Sequence, residues 1–201
     1  ITPDVLIPRP ETELLVEKAL FWANNLYKAS SNSKILCADV GCGSGCIGIS
    51  LAAENPRFNV IASDISYPAL RVALKNASLH LVDSQIHLIQ CDLLPSTSLN
   101  FDLICANLPY IPSNTLRHLK VYKKEPTLAL DGGVNGLEII ERLLYISPHR
   151  LTKNGLILLE IDPDQGWALQ NLARNIFPDA SIDLIKDLAG HHRLISIQKG
   201  K

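Results

Sequence analysis

Short apolar runs alternate with segments of helical periodicity along most of this 201-residue chain. This alternation is typical of a parallel sheet with helices on both faces, because each parallel strand needs a long crossover before the next strand. The predicted strands are Lys34–Val40, Asn59–Ser63, Ile86–Gln90, Phe101–Ala106, Leu156–Ile161, Ser181–Lys186 and Arg193–Gln198. Only a few residues around Gly190 join the last two, so the seventh strand should run antiparallel. The pattern predicts an α/β fold with a doubly wound, seven-stranded sheet.

Helices are predicted between these strands. The predicted spans are Glu11–Leu26, the glycine-rich turn to about Glu54, Ser66 to about Leu79, the region of Leu137 to Leu144 before Pro148, and Asp164–Asn175. Ser66 should cap the third helix, with an apolar stripe of Leu70, Ala73, Leu74 and Ala77.

The first helix leads into a polar link at Ser30–Ser33. We therefore divide the chain into a leading helix and linker, 1–33, packed on a main domain, 34–201. The stretch from Asn107 to about Asn135 has weak periodicity and is longer than most loops, so it is a candidate lid or substrate platform.

Composition limits what the chain can bind and where it works. The 19 Lys and Arg residues nearly balance 20 Asp and Glu, which gives no footprint for sequence-blind binding to a polyanion. No apolar run approaches the roughly 18 residues of a membrane span. Five cysteines without a C-x-x-C pair indicate reduced thiols in a cytosol-like compartment. Because the chain begins with Ile and contains no Met, we expect a piece of a longer protein.

A glycine-rich loop follows the first predicted strand and opens a helix. Gly41-Cys42-Gly43-Ser44-Gly45 can let a ligand approach bare backbone amides at a helix N-terminus. Residues 43–48 also satisfy G-x-G-x-x-G, so the spacing alone leaves a dinucleotide enzyme open. Cys42 and Cys46 lack the further His or Cys ligands of a metal site, and we predict none.

Three carboxylates should converge beside this loop. Asp39 precedes it, Asp64 ends the second strand and Asp92 follows the third. Near a pyrophosphate Asp39 and Asp92 would be repulsive, whereas near the sulfonium and ammonium of S-adenosylmethionine they are favourable. Asp64 could accept hydrogen bonds from ribose hydroxyls. The predicted cofactor-binding residues are Asp39, Gly41, Cys42, Gly43, Ser44, Gly45, Asp64, Asp92, Leu93 and Asn107.

Asn107-Leu108-Pro109-Tyr110 places an amide, a rigid turn and an aromatic ring at the same sheet edge. This suits methylation of a planar nitrogen, whose lone pair is delocalised and therefore poorly nucleophilic. Acceptors for both N–H hydrogens, the Asn107 side-chain oxygen and the Leu108 carbonyl, would orient that nitrogen and raise its electron density. Pro109 would fix the turn, and Tyr110 would pack on the planar face. We predict Asn107 and Tyr110 as catalytic and the whole motif as substrate-binding.

Motifs along the whole chain resemble those of the peptide chain release factor N5-glutamine methyltransferases. The residues that carry the resemblance are Leu6–Leu15, Asp39–Gly45, Asn107–Tyr110, Glu125-Pro126 with Leu128–Leu130, Glu160, Gln165-Gly166, and Asp187–Gly190 with Arg193. Leu108 departs from the family's usual Asn-Pro-Pro-Tyr. The small helical N-terminal domain that the family normally carries is not in this sequence.

The resemblance implies a class I, Rossmann-like methyltransferase fold whose last strand is antiparallel. It implies S-adenosylmethionine as cofactor and the glutamine of a release factor's Gly-Gly-Gln loop as substrate, in the cytoplasm or an organellar matrix. It also places the loop around Arg9 and Glu11 near the cofactor's methionine end.

Three other functions remain as hypotheses from the residues. Asn-Leu-Pro-Tyr is the form seen in ribosomal RNA adenine dimethylases, so an adenine-N6 methyltransferase is one alternative, although the neutral charge speaks against nucleic acid as the direct substrate. A nicotinamide-dependent oxidoreductase could use residues 43–48. A non-catalytic module could retain the fold and bind the cofactor only.

Overall fold

The computed structural model describes residues 1–26, 33–122 and 124–200, so the predicted linker positions Ser30, Ser31 and Asn32 lie outside it. Its strands are β1 (Ile35–Val40), β2 (Phe58–Asp64), β3 (Ile86–Gln90), β4 (Phe101–Ala106), β5 (Leu151–Glu160), β6 (Ser181–Lys186) and β7 (His192–Gln198). Its helices are α1 (Thr12–Leu26), α2 (Cys46–Glu54), α3 (Tyr67–Leu79), α4 (Ser113–Leu116), α5 (Glu138–Ile146) and α6 (Gly166–Ile176).

The strands form one sheet in the order β3-β2-β1-β4-β5-β7-β6. Strands β1 to β5 pair in parallel, whereas β7 is antiparallel to both β5 and β6. The predicted seven-stranded sheet with an antiparallel last strand is confirmed. In the centre, Val40 is aligned with Ser63 of β2 and Ala106 of β4, so the carboxyl ends of these strands lie side by side.

Helices cover both faces of the sheet because the central strands are apolar at consecutive positions. One face, with Cys37 and Leu103, packs in a single cluster with residues of α1, α2 and α3. The other face, with Ala38 and Ile104, packs with residues of α5 and α6. In a doubly wound sheet of this kind, ligands bind at the edge formed by the carboxyl ends of the strands.

Helix α1 is part of this core. Its side chains at Leu15, Ala19 and Ala23 are buried in the same cluster as β1 and β2, and the helix contacts α2 and β5. The side chain of Leu15 is only 1% exposed. The N-terminus of α1 reaches the carboxyl end of β5, which places Thr12 near the sheet edge.

Helix α3 begins as predicted and differs in its apolar stripe. Ser66 Oγ accepts a hydrogen bond from the Ala69 amide at 3.3 Å, which is the expected cap. Leu74, however, is 55% exposed, whereas Val72 is buried. Each residue turns the helix by about 100°, which carries Leu74 past the edge of the buried face. The predicted apolar stripe is thus buried at Leu70, Ala73 and Ala77 and exposed at Leu74.

Strand β5 starts earlier than its apolar run predicts, at Leu151 instead of Leu156. Leu151 pairs with Phe101, and the register shifts before the regular ladder resumes at Leu103 and Leu156. Asn154 has a φ of 59°, in the left-handed region, so this polar start was not recognisable as strand. Helix α5 ends before Pro148, as expected from that residue.

The predicted helix at 164–175 consists of two parts. Pro163–Gln165 forms a 3₁₀ turn, and α6 follows from Gly166. Asp162 caps this turn, and the Gln165 side chain accepts from the Asp162 backbone amide. The capping box fixes the entry to α6 beside the carboxyl end of β5.

Within residues 1–26, 33–122 and 124–200, no helix is long and apolar enough to cross a membrane. In the same residues, no group of three or more His, Cys, Asp or Glu side chains is arranged to hold a metal ion.

Candidate active site

A cavity of about 250 Å³ lies at the carboxyl edge of the sheet. The residues that follow β1 to β4 form its floor. Val5, Leu6 and Pro8, which precede α1, form a second wall, and the segment with Leu128 and Ala129 forms a third. The cavity therefore sits where an α/β sheet of this kind holds its ligand.

The glycine loop forms part of this cavity. Gly41, Cys42, Gly43 and Ser44 line it, as predicted for the cofactor loop. Gly45 does not; it has a φ of 79°, and a Cβ there would lie 2.8 Å from Ile49 Cδ1. Gly45 therefore allows the tight entry into α2, and its predicted contact with a cofactor stays a prediction.

Asp64 joins the loop to the end of β2. Its Oδ2 accepts from the Gly43 amide at 2.8 Å, and its Oδ1 accepts from the Ser66 amide at 2.8 Å. Each carboxylate oxygen can accept a second hydrogen bond. The two hydrogen bonds hold the Asp64 carboxylate in place. Asp64 also lines the cavity, so its oxygens can accept further hydrogen bonds from a ligand.

Asp39 occupies a different place from the one expected. It is fully buried behind the glycine loop and is absent from the cavity wall, because its side chain points under α2. Oδ2 accepts from the Gly48 amide at 2.9 Å, and among the described residues Oδ1 has no hydrogen-bond partner. Burial raises the pKa of Asp39 to about 7. Any influence of Asp39 on a ligand acts through its charge and the loop.

Asp92 and Leu93 line the far end of the cavity, where the adenine was predicted. Asp92 pairs with Arg142 of α5, a residue that the sequence did not single out. Leu93 has a φ of 61°, and its carbonyl accepts from Ser63 Oγ at 2.7 Å. A left-handed backbone conformation is unfavourable for leucine. The contacts of Leu93 with the surrounding residues stabilise this conformation at the wall of the cavity.

Asn107, Leu108 and Pro109 line the cavity beside the glycine loop, because they follow β4, the strand next to β1. The Leu108 side chain is buried, and a Cβ on Gly41 would lie 2.8 Å from Leu108 Cδ2. This close packing joins the substrate motif to the cofactor loop. Only a glycine at position 41, with its φ of 67°, allows both the turn and the contact.

Tyr110 lies next to the cavity but is not part of the described wall. Burial, followed by the charge of Glu160, raises the pKa of its phenol to about 12, so the phenol stays protonated at neutral pH. The Gln165 side chain donates to the Tyr110 carbonyl at 2.9 Å and holds the motif from behind. Packing of Tyr110 on a substrate stays a prediction.

Two buried side chains behind Asn107 were not predicted to take part. Asn107 Nδ2 donates to Thr12 Oγ1 at 3.2 Å, and Thr12 Oγ1 donates to Glu160 Oε2 at 2.7 Å. Glu160 ends β5, just as Asp64 ends β2, so the shared strand edge was the available signal. Thr12 lies 95 positions from Asn107, and no local pattern reveals that contact.

The candidate lid contacts the N-terminal segment. Arg9 Nη2 and Glu125 Oε1 form an ion pair at 2.6 Å, and the Ile7 amide donates to Glu125 Oε2 at 3.2 Å. Residues 126–129 then continue along the cavity. The sequence has a basic stretch just before Glu125, with Arg117, Lys120, Lys123 and Lys124, of which Lys123 lies outside the described residues.

The sequence and the fold are similar to those of known methyltransferases. The family model described as Methyltransferase small domain matches residues 19–123. A release factor glutamine methyltransferase of Moorella thermoacetica is 40% identical over 195 residues, which are 96% of this chain and 67% of that protein. The chain thus spans about two thirds of this relative's length.

Solved structures show the same fold. The protein-(glutamine-N5) methyltransferase, release factor-specific, of Alicyclobacillus acidocaldarius has a TM-score of 0.60 and 25% identity, over 100% of this chain and 99% of that one. A Thermus thermophilus 16S rRNA N2 G1207 methyltransferase, solved with S-adenosylmethionine and guanosine, has a TM-score of 0.66 and 15% identity, over 96% of this chain and 44% of that one. Because the Moorella thermoacetica protein is 40% identical over nearly the whole of this chain, the chain belongs to the release factor glutamine methyltransferase family.

Proposed function

We propose that this chain transfers a methyl group from S-adenosylmethionine to the side-chain amide nitrogen of the glutamine in a release factor's Gly-Gly-Gln loop. Family membership supports the reaction class. The placement of Asn107 beside the glycine loop carries the proposal, because it brings an amide acceptor to the wall of the cavity that suits the cofactor.

The residues present fit S-adenosylmethionine. The loop offers backbone amides at the N-terminus of α2 for the methionine carboxylate. The buried carboxylate of Asp39, with its unpartnered oxygen, favours a cation above the loop. In this proposal Gly41, Gly43 and Gly45 seat the amino-acid end. Asp64 holds the ribose, and Asp92 or Leu93 contacts the adenine. The cofactor supplies an electrophilic methyl group on a sulfonium.

Asn107 would hold the substrate nitrogen. Its Nδ2 is directed at Thr12, so its Oδ1, the other polar atom of the amide, is directed away from Thr12 and can accept one glutamine N–H. The Leu108 carbonyl would accept the other. Two acceptors fix the plane of the amide and increase electron density on its nitrogen.

No strong base is needed at this site. The nitrogen loses a proton to solvent after it gains the methyl group, because the proton becomes acidic only as the N–C bond forms. Tyr110 stays a neutral phenol at neutral pH, which suits packing and hydrogen bonding better than proton removal. Since the acceptor is a translation factor, we place the reaction in the cytoplasm or an organellar matrix.

Mass spectrometry tests the substrate directly. A bacterial-type release factor is incubated with the chain and S-adenosylmethionine, and we expect one added methyl group on the glutamine of the Gly-Gly-Gln loop. The same release factor with that glutamine changed to alanine is the matched control. Labelling that survives this change would show that the glutamine assignment is wrong.

Two further experiments test the alternative functions, adenine-N6 methylation of RNA and nicotinamide-dependent oxidoreduction. Leu108 gives the motif of adenine dimethylases, so RNA is offered in place of the release factor; we expect no methylation of it. Titration with S-adenosylhomocysteine and with NAD should show binding of the first alone, since the family is one of methyltransferases. A chain that binds S-adenosylhomocysteine but methylates no acceptor would be a binding module.

A further inference from the structure

Thr12, Asn107 and Glu160 form a hydrogen-bonded chain at the wall of the cavity. Thr12 and Glu160 are 5% and 3% exposed, and both Thr12 and Asn107 line the cavity. Thr12 comes from the start of α1, Asn107 follows β4 and Glu160 ends β5. Three separate elements are therefore needed to assemble one polar cluster.

The direction of each hydrogen bond follows from the groups involved. An ionised Glu160 can only accept, so the single proton of the Thr12 hydroxyl goes to Oε2 at 2.7 Å. The oxygen of Thr12 is then left as an acceptor, and the atom of Asn107 that faces it at 3.2 Å must be the donor Nδ2. The carboxylate thereby determines which end of the Asn107 amide faces inward.

The buried carboxylate is costly unless its contacts compensate it. Burial raises the pKa of Glu160, while the hydrogen bond from Thr12 and the charge of Arg193 oppose that rise. Glu11 adds to it. An apolar residue at the end of β5 would avoid this cost but would leave the Asn107 amide free to turn over.

We propose that Thr12 and Glu160 are positioning residues that hold the Asn107 amide with its oxygen toward the substrate. The inference rests on the proposed function and deepens it. With the amide reversed, the NH₂ group of Asn107 would face the N–H groups of the glutamine, and two donors would oppose each other. Cofactor affinity should depend little on this orientation, because Asp64 is held by the Gly43 and Ser66 amides and not through Asn107 or Thr12.

Kinetics with a release factor test the chain of contacts. Thr12→Val keeps the shape and removes the hydroxyl, so we expect kcat to fall by at least about tenfold while the affinity for S-adenosylhomocysteine stays within about twofold. Thr12→Ser keeps the hydroxyl and should restore kcat to within about threefold of wild type. Thr152→Val is the matched control, since Thr152 also donates to a carboxylate, Asp102, at 3.1 Å near the start of β5.

Glu160→Gln covers the possibility that Thr12→Val does not fold. A glutamine can donate to or accept from Thr12, so the Asn107 amide loses its single orientation and kcat should fall at least about threefold.

The orientation is also measurable without turnover. In NMR spectra the Asn107 side-chain NH₂ signals, assigned by their loss in Asn107→Ala, should shift in Thr12→Val and stay in place in Thr12→Ser. A wild-type chain that methylates no release factor would refute the proposed function, while this measurement still tests the positioning.

Three results would overturn the inference. The first is a kcat within about twofold of wild type in both Thr12→Val and Glu160→Gln. The second is an Asn107 signal unmoved in Thr12→Val. The third is a loss of S-adenosylhomocysteine affinity in parallel with kcat, which would indicate a purely structural role for Thr12.

Discussion

Asp39 and Asn107 show how neighbouring positions at one sheet edge differ in environment. Asp39, the last but one residue of β1, is buried under α2 and contacts the Gly48 amide. Asn107 comes directly after β4 and reaches the cavity. At this edge of the sheet, one or two positions along a strand thus determine whether a polar side chain is buried under a helix or lines the cavity.

Asn107 is the residue whose loss should affect catalysis most. Asn107→Ala removes one acceptor of the substrate amide, so we expect turnover to fall on the order of 10² or more, with cofactor affinity nearly unchanged. Methyl transfer to the release factor and titration with S-adenosylhomocysteine measure the two effects. Asn59→Ala, at a solvent-facing pair with His87, is the control. Activity of Asn107→Ala within about twofold of wild type would remove Asn107 from the mechanism.

Asp39 should make stability depend on pH in an unusual direction. Its pKa rises from 3.8 to about 7 on folding, so the folded state holds the proton more tightly than the unfolded state. Its contribution to stability is complete below about pH 4 and is lost as the pH rises to about 7. Between about pH 5 and pH 8, the unfolding free energy of wild type relative to Asp39→Asn should fall by roughly 3 kcal/mol. Urea unfolding at both pH values measures it, and equal differences would contradict the assignment.

At the scale of elements, the cavity depends on segments far apart in the chain. The strand ends that form its floor follow from the alternation of strands and helices, so Asp64, Asp92 and Asn107 were predictable as neighbours. The walls formed by the N-terminal segment and residues 126–129 have no periodic pattern, so the residues alone indicated only a candidate lid, and the place of the N-terminal segment near a cofactor came from the family resemblance. Arg9 and the Ile7 amide contact Glu125 over 116 and 118 positions, and no local pattern reveals such contacts.

The Arg9–Glu125 pair should therefore influence cofactor retention. The Glu125 side chain is only 8% exposed and the Arg9 side chain 35%, so the ion pair is partly buried, and the Ile7 amide adds an exposed hydrogen bond to Glu125. Glu125→Gln should weaken binding of S-adenosylhomocysteine by about fivefold, which corresponds to about 1 kcal/mol. Isothermal titration measures the affinity. Glu17→Gln, at an exposed position of α1, should leave it unchanged, and equal affinities in both variants would show that the pair has no such role.

At the scale of the whole molecule, α1 shares one core with the sheet. The proposed boundary at residue 33 is therefore a division of the sequence and not of the hydrophobic core, because Leu15 of α1 packs in one cluster with residues of β1 and β2. The Methyltransferase small domain match itself begins inside α1, at residue 19. We propose that α1 and the rest of the described chain unfold as one cooperative unit.

Leu15→Ala tests this cooperativity. Removing a fully buried leucine costs about 3 kcal/mol, and we expect the loss to appear in a single transition of the whole chain. A Trp167→Phe background leaves Trp22 as the fluorescent reporter of α1, to be compared with far-UV circular dichroism. Phe21→Ala, at a position 69% exposed, is the control and should cost under about 0.5 kcal/mol. A separate, earlier Trp22 transition would mean that α1 unfolds independently.

The antiparallel insertion of β7 has a consequence for synthesis on the ribosome. Among the described strands β6 pairs with β7 alone, and β7 follows it in the chain and lies between β5 and β6. While the nascent chain ends in β6, that strand has no partner, and β5 still presents an unpaired edge. Only the emergence of residues 192–198 from the exit tunnel joins both strands at once, so the final step of assembly waits for translation to pass this hairpin.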